Sequence, residues 1–389
     1  MPHSGNTLRL HEEAPGSPPL DFRDFAENAV IGIFRTTLDG RYLFANQALA
    51  HLYGFPDVPA MIGQLTDIED QLYVDPTRRD TFRSLMSEND VVRHFQSEIR
   101  RADGATIWIS ETARAVRNAA GQILYYEGTV TDATADRRIS ESLRYANMIQ
   151  NALLPDRQTL GDAVSDIQIH WEPLQAVSGD YYWMERQQRQ SLIFLADCTG
   201  HGVPGAFMTL ITASAIDTAV HYQGLFAPAD ILSEVDHAVR LRMRQDRPDS
   251  RSDDGLDAAI LRWDEGRRIM TFCGASIPLL YAKNGNIHEI KGNRANLGYR
   301  TNPPRGPFAQ HDIPVEPGMV FYLFSDGVSD HVGGTPRRLL GRKRLKAILS
   351  DIQTWPLNRQ IGHLKSVLKD YRGTEPRRDD MTMILIQPL

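Results

Sequence analysis

Carboxylates stand at the ends of apolar runs four times in this chain, and that repetition limits what the chain can fold into. Asp197 closes the run Ser191-Leu-Ile-Phe-Leu-Ala-Asp197, and a sharp turn, Cys198-Thr-Gly-His-Gly-Val-Pro204, follows it. Gly179-Asp180, Ser325-Asp326-Gly327 and Asp379-Asp380 repeat the design beside other runs of strand character, widely separated in sequence. An acid placed where a buried strand emerges, with glycine beside it, is well positioned to hold a metal. Oxygen ligands without His or Cys partners select Mg²⁺ or Mn²⁺ over Zn²⁺. Two such ions, about 3.5–4 Å apart, acidify a bridging water and clamp a phosphoryl group, so the pattern points to a two-metal hydrolase. Successive side chains on a strand face opposite ways, so only one of Asp379 and Asp380 can point at the metals.

The segments around these acids resemble, in order, those of the SpoIIE-like branch of the metal-dependent (PPM-type) protein serine/threonine phosphatases. They are Ser178-Gly-Asp-Tyr-Tyr182, Ala196-Asp-Cys-Thr-Gly-His-Gly-Val-Pro-Gly-Ala206, Cys273-Gly-Ala-Ser-Ile-Pro278, Phe324-Ser-Asp-Gly-Val328 and Asp379-Asp-Met-Thr382. The resemblance implies an α+β fold, a PPM-type αββα sandwich, over residues 156–389. It implies catalysis by Asp180, Asp197, Asp326 and Asp379 with two Mn²⁺ or Mg²⁺ ions. Asp180 and Asp197 would be shared between the metals, and Asp326 and Asp379 would hold the outer faces. Cys198 would add its backbone carbonyl, and Asp380 is the alternative to Asp379. The chain departs from the family at Ser178, Trp183, Cys198-Thr199 and Ala275-Ser276, none of which removes an expected ligand. His201, inside its Gly-His-Gly turn, is either a general acid or a loop-orienting residue. Gly200, Gly202 and Gly205 read as conformational, permitting positive φ and the start of a helix. Asp253, Asp254 and Asp257 fit a flexible loop with a strand-start acid as well as they fit a further metal site.

A length of 389 residues suggests two domains and a connector. Residues 1–20 have the composition of a disordered lead-in. Residues 21–133 carry Gly32-Ile-Phe34, Asp39-Gly40, Phe44-Ala-Asn46, Gly54-Phe55 and the exit Glu127-Gly-Thr-Val-Thr-Asp132. That order resembles a PAS sensor domain. Its ligand is not readable: His51 and His94 could ligate haem or could be packed or surface residues, and the absence of Cys excludes a flavin-thiol adduct. Residues 134–155 form a helical, coiled-coil-like linker that Pro155 ends, with Ile139, Leu143, Ala146 and Leu153 on one stripe and Gln150 among them, a pattern compatible with a dimeric coiled coil and with a helix packed on its own domain. The run Ile149-Gln-Asn-Ala-Leu-Leu-Pro155 resembles the switch-helix entry of bacterial stress-response phosphatases. By that resemblance the substrate is a phosphoserine or phosphothreonine on an anti-sigma-antagonist-like (STAS-like) protein. The chain would be a homodimer through its PAS domain and linker.

A net charge of -6 gives no reason to expect nucleic acid binding. The clusters Arg337-Arg338, Arg342-Lys-Arg344 and Arg377-Arg378 read as a solvated face or as a dock for a phosphorylated partner. Two cysteines, Cys198 and Cys273, give no disulfide framework and suit a reducing cytoplasm. No window is read as a membrane span, and the polar N-terminus lacks a signal-peptide core. Two rival readings remain open. A PAS-dimerised scaffold with an inactive phosphatase fold would be favoured by loss of any core aspartate. A nucleotide cyclase would need a Gly-rich phosphate loop after a strand, which the sequence lacks.

Overall fold

Gly40 takes φ +90° in the turn Leu38-Asp-Gly40, a conformation open to glycine at no steric cost, and reverses the chain between two strands. These are β1 (Gly32–Thr36) and β2 (Tyr42–Ala45). With β3 (Val91–Arg100), β4 (Thr106–Arg117) and β5 (Ile123–Asp132) they form an antiparallel sheet ordered β2-β1-β5-β4-β3. The structure is a computed structural model that describes residues 22–156, 159, 164–301, 304 and 306–389, so the expected lead-in lies outside the described residues. Four helices between β2 and β3 (Gln47–Leu52, Val58–Gln64, Ile68–Gln71, Arg78–Glu88) bury Leu49, Met61, Phe82 and Met86 against Phe34, Ile109 and Tyr126 of the sheet. This is the arrangement the PAS resemblance implies. His51 and His94 are both exposed, so neither is placed to hold haem in the core. The core instead holds Glu111, bonded by the Tyr73 hydroxyl at 3.2 Å. It also holds Arg79, whose Nε and Nη2 have no acceptor.

The chain divides into two compact units after Glu141, inside the helix Thr134–Ala152. In the second unit two antiparallel five-stranded sheets pack face to face. One is ordered β13-β10-β9-β8-β7, from β7 (Asp180–Gln187), β8 (Gln190–Cys198), β9 (Leu256–Asp264), β10 (Ile269–Ala275) and β13 (Gln310–Pro314). The other, ordered β12-β11-β14-β17-β6, is built from β6 (Asp166–Glu172), β11 (Leu279–Lys283), β12 (Asn286–Ile290), β14 (Val320–Phe324) and β17 (Met381–Gln387). The short pair β15 (Val332–Gly333) and β16 (Arg338–Leu339) stands apart.

Alternation along β8 explains why its sequence reads as an unbroken apolar run. Ile193 and Leu195 face the second sheet, meeting Phe321, Leu323 and Ile384. Leu192, Phe194 and Ala196 face the helices Val203–Asp217 and Pro228–Arg242 on the outside. Tyr322, Met383 and Leu385 on the second sheet likewise turn outward to Gly341–Ile352 and Leu357–Arg372. Both faces of each central strand are therefore buried, which gives the αββα sandwich.

Two expectations need correction. The loop Gln245–Gly255 is pinned, because the Gln245 amide is buried and bonds the Asp254 N–H at 2.7 Å and the Asp254 and Gly298 carbonyls at 2.7 and 2.6 Å. One helical run, Val203–Tyr222, is long and apolar enough to cross a membrane, whereas none was read from sequence. Its Met208, Ala215, Ile216 and Ala219 are packed into the layer over β8, which accounts for its apolarity. The linker stripe is uneven: Ile139 is exposed, Leu143, Ala146 and Leu153 are half-buried, and Gln150 is buried.

Candidate active site

Strand pairing brings the acids together. Asp180 opens β7 and lies directly opposite Asp197 near the end of β8, while Asp197 is opposite Asp257 at the start of β9. On the other sheet β14 ends at Phe324, paired with Met383 of β17, so Asp326 and Asp379 leave the same end of neighbouring strands. Side-chain bonds fasten the two sheets there. Asp180 Oδ2 accepts from the Ser325 hydroxyl at 2.7 Å and the Thr382 hydroxyl at 2.6 Å. The Asp326 N–H donates to Asp197 Oδ2 at 3.2 Å.

The two neighbours at the start of β17 have different jobs. Asp380 is buried, and its oxygens accept from the backbone N–H groups of Leu174 and Gly179, each at 2.6 Å. It is a clamp on the loop that delivers Asp180. Asp379 is exposed and accepts from its neighbour's N–H at 2.9 Å. Both Asp380 oxygens thus already hold backbone N–H groups, whereas Asp379 bonds only its neighbour, which favours Asp379 as the ligand of the two.

The glycines place backbones in contact. A Cβ on Gly179 would collide with the Gly200 carbonyl, and one on Gly205 would collide with the same oxygen and lie 2.7 Å from Gly179 Cα. Gly200 and Gly202 hold φ of +82° and +67°, as expected. Gly205 does not: its role is close approach, which lets the helix Val203–Asp217 start against the Asp180 loop. The linker helix reaches the same loop through Gln150. Its Oε1 accepts from the Ser178 N–H at 2.9 Å, and its Nε2 donates to the Ser178 carbonyl at 2.7 Å and to Thr209 Oγ1 at 3.0 Å.

Electrostatically the edge is a concentration of negative charge. Burial pushes the Asp180 carboxyl above the usual range, against the pull of the Thr382 and Ser325 hydroxyls. Burial and then the charges of Asp180 and Asp326 push Asp197 up strongly. Burial followed by the charges of Asp379 and Asp330 raises Asp326, and burial raises Asp379. Among the described residues none of these acids pairs with a Lys or Arg side chain, and no three His, Cys, Asp or Glu side chains close around a single point. Hydroxyls and an amide N–H hold the inward oxygens of Asp180 and Asp197 instead. An oxygen-rich donor set with uncompensated charge fits hard divalent cations.

Two acids were not singled out, or not placed, by sequence. Asp330 is four residues from Asp326 on a one-turn helix (Asp326–Ser329), a spacing that puts both on one side. Asp257 is half-buried and held by the Asn296 amide, with its carboxyl raised by burial. Asp253 instead accepts from Arg300 N–H at 2.7 Å and from Thr301, a loop role away from the edge. The Cys198 thiol is buried beside Thr212 Oγ1 at 3.6 Å and is pushed far above the ordinary thiol range by burial, so it is inert. The Cys198 carbonyl oxygen lies against Gly179, 3.1 Å from where a Cβ would stand. His201 is exposed, near enough to Asp379 to favour its ionisation.

Residues 187–388 match the family described as Stage II sporulation protein E (SpoIIE), and residues 20–133 match the PAS fold. The chain is 22% identical over 272 residues to the phosphoserine phosphatase RsbU of Bacillus subtilis (strain 168), covering 69% of this chain and 76% of that protein. It is similar to the solved SiaA-PP2C domain of Pseudomonas aeruginosa, with 36% identity, 66% of this chain and 99% of that one covered, and a TM-score of 0.60.

Proposed function

The chain belongs to the SpoIIE family and is a protein serine/threonine phosphatase with a PAS domain ahead of it, and on that premise we propose its substrate, ions and regulation. The substrate is a phosphoserine or phosphothreonine on an anti-sigma-antagonist-like partner. The observation that carries the chemistry is the meeting of Asp180 and Asp197 from one sheet with Asp326 and Asp379 from the other, with no cationic side chain among them.

These four aspartates and the Cys198 carbonyl would hold two Mn²⁺ or Mg²⁺ ions. Such ions, when bound, acidify a water and neutralise phosphoryl oxygens. The chain's own residues orient that chemistry. Ser325 and Thr382 fix Asp180 through its Oδ2, and Asp380 holds the Gly179 N–H so that the Asp180 loop cannot retreat. His201, exposed on its glycine-flanked turn, orients the loop. The linker helix Thr134–Ala152 carries PAS-derived signals to the site in a homodimer, and the two free, buried cysteines suit the cytoplasm.

Hydrolysis of an aryl phosphate tests the assignment. Turnover should require added Mn²⁺ or Mg²⁺, stop with chelator, and vanish in Asp197→Asn and Asp326→Asn while the fold persists. Full turnover in chelator, or in either variant, would refute it.

A further inference from the structure

The phosphatase reading leaves the Arg377-Arg378 pair unexplained. Beside the acid edge opens a cleft of about 210 Å³, walled by Asp330 and His331 after the Asp326 turn, by Arg372 at the end of Leu357–Arg372, and by Arg377, Arg378 and Asp379 on the approach to β17. A second hollow of about 350 Å³ shares His331, Arg372 and Arg377 and adds Lys365 and Lys369.

The cations here are not alike. Arg377 is already engaged: it pairs with the Glu172 carboxylate at 2.8 Å and donates to the Glu172 and Pro173 carbonyls, which fixes the loop. Arg372, Arg378, Lys365 and Lys369 have no carboxylate partner among the described residues, and Arg372 Nε is buried with no acceptor. Elsewhere the basic clusters are partly neutralised: Arg337 pairs with Glu375, and Arg342 shares Glu289 with Lys346. Asp330 and Asp379 also border the cleft, and each is held by a short local bond, Asp330 from the Ser329 hydroxyl at 3.0 Å and Asp379 from the Asp380 N–H at 2.9 Å. Arg372 and Arg378, without carboxylate partners, thus line the cleft that contains Asp379, and Arg378 is its neighbour in the chain.

An arginine fork matches the two oxygens of a carboxylate or phosphate, and a buried N–H without an acceptor is costly until one arrives. The cleft shares Asp379 with the acid edge, so an occupant must be close in its own chain to the phosphoryl group held there. We propose that this cleft is an anion subsite for an acidic residue flanking the scissile phosphoserine or phosphothreonine, supplied either by Asp or Glu or by a second phosphorylated residue. The proposal rests on the phosphatase reading. Charge complementarity of this kind selects partners more than it adds raw affinity.

Steady-state hydrolysis by the full chain with Mn²⁺ tests it, using four phosphoserine peptides alike except for neutral, Glu, phosphoserine or Lys residues on both flanks. The quantity read is the kcat/KM ratio of each charged peptide to the neutral one within the same protein, so a general loss of rate in a variant does not matter. The native chain should prefer the Glu or phosphoserine peptide roughly five- to tenfold and disfavour the Lys peptide. Preference for Glu assigns a carboxylate, and preference for the phosphoserine peptide alone assigns a second phosphate. In Arg378→Glu, and in Arg372→Gln, the ratio should fall toward one, and Arg378→Glu should raise the relative rate on the Lys peptide. Equal kcat/KM for neutral and acidic peptides, ratios unchanged in both variants, or turnover of aryl phosphate but of no peptide would overturn the subsite and leave the phosphatase reading standing. Inertness toward aryl phosphate and all peptides would overturn both.

Discussion

Replacing Gln150 by Leu should uncouple the linker helix from the active site while leaving the phosphatase domain folded. The side-chain amide closes a two-way bond with the Ser178 peptide, two residues before Asp180, and is 3% exposed. Leu matches its size but leaves the Ser178 N–H and carbonyl without partners. Thr209 is less affected, because its hydroxyl still donates to the Ala206 carbonyl at 2.8 Å. Each orphaned buried group costs about 1–3 kcal/mol, so the pair costs roughly 2–6 kcal/mol if the loop stays in place. Water entering as the loop opens reduces this, and about 3 kcal/mol is a reasonable working value, on the order of a hundredfold in the population of the ordered loop. The cost falls locally because the sheets that frame the site do not depend on this bond. Activity measured against Mn²⁺ concentration should therefore shift to higher metal by about that factor. The urea midpoint of the domain should move much less. A Leu variant with the native metal requirement and native rate would show that Gln150 is merely packed there, and the reasoning would fail.

Three further outcomes follow from other contacts. Asp379→Asn should abolish aryl phosphate hydrolysis, whereas Asp380→Asn should retain part of it, since one of its two backbone bonds survives; equal losses measured side by side would contradict the division of roles. Gly179→Ala should inactivate the enzyme and lower thermal stability, because the new methyl meets the Gly200 carbonyl, and an active, equally stable variant in a melting experiment would refute that close approach. Glu111 in the PAS core is raised by burial from 4.5 to about 7, so the stability it contributes is complete below pH about 4.5 and is lost as pH rises to about 7. The loss is roughly 3 kcal/mol, and denaturation across that window should show Glu111→Gln with a flatter profile than the native chain; parallel profiles would place the proton elsewhere.

The sequence by itself determined the fold class and the order of the site. Apolar runs ending in Asp197 and Asp326, the glycines of the turn after Cys198, and the Asp-Gly turns of the N-terminal half are local features that short-range sterics and burial dictate. Tertiary structure decided how the acids divide their work. Nothing in the pair Asp379-Asp380 says that the second is captured by the N–H groups of Leu174 and Gly179, because those donors lie some two hundred residues away and come near through the pairing of β17 with β6. Gly205 and Gln150 gain their roles in the same way, from the approach of Gly179 and Ser178, and the pinning of Gln245 depends on Gly298. Asp330 joins the acid edge because the chain makes a single helical turn after Asp326, too short to leave a periodic signal. Long-range hydrogen bonds and backbone contacts of this kind depend on register between distant strands. A linear pattern carries which faces are apolar, but not which distant amide an oxygen will meet.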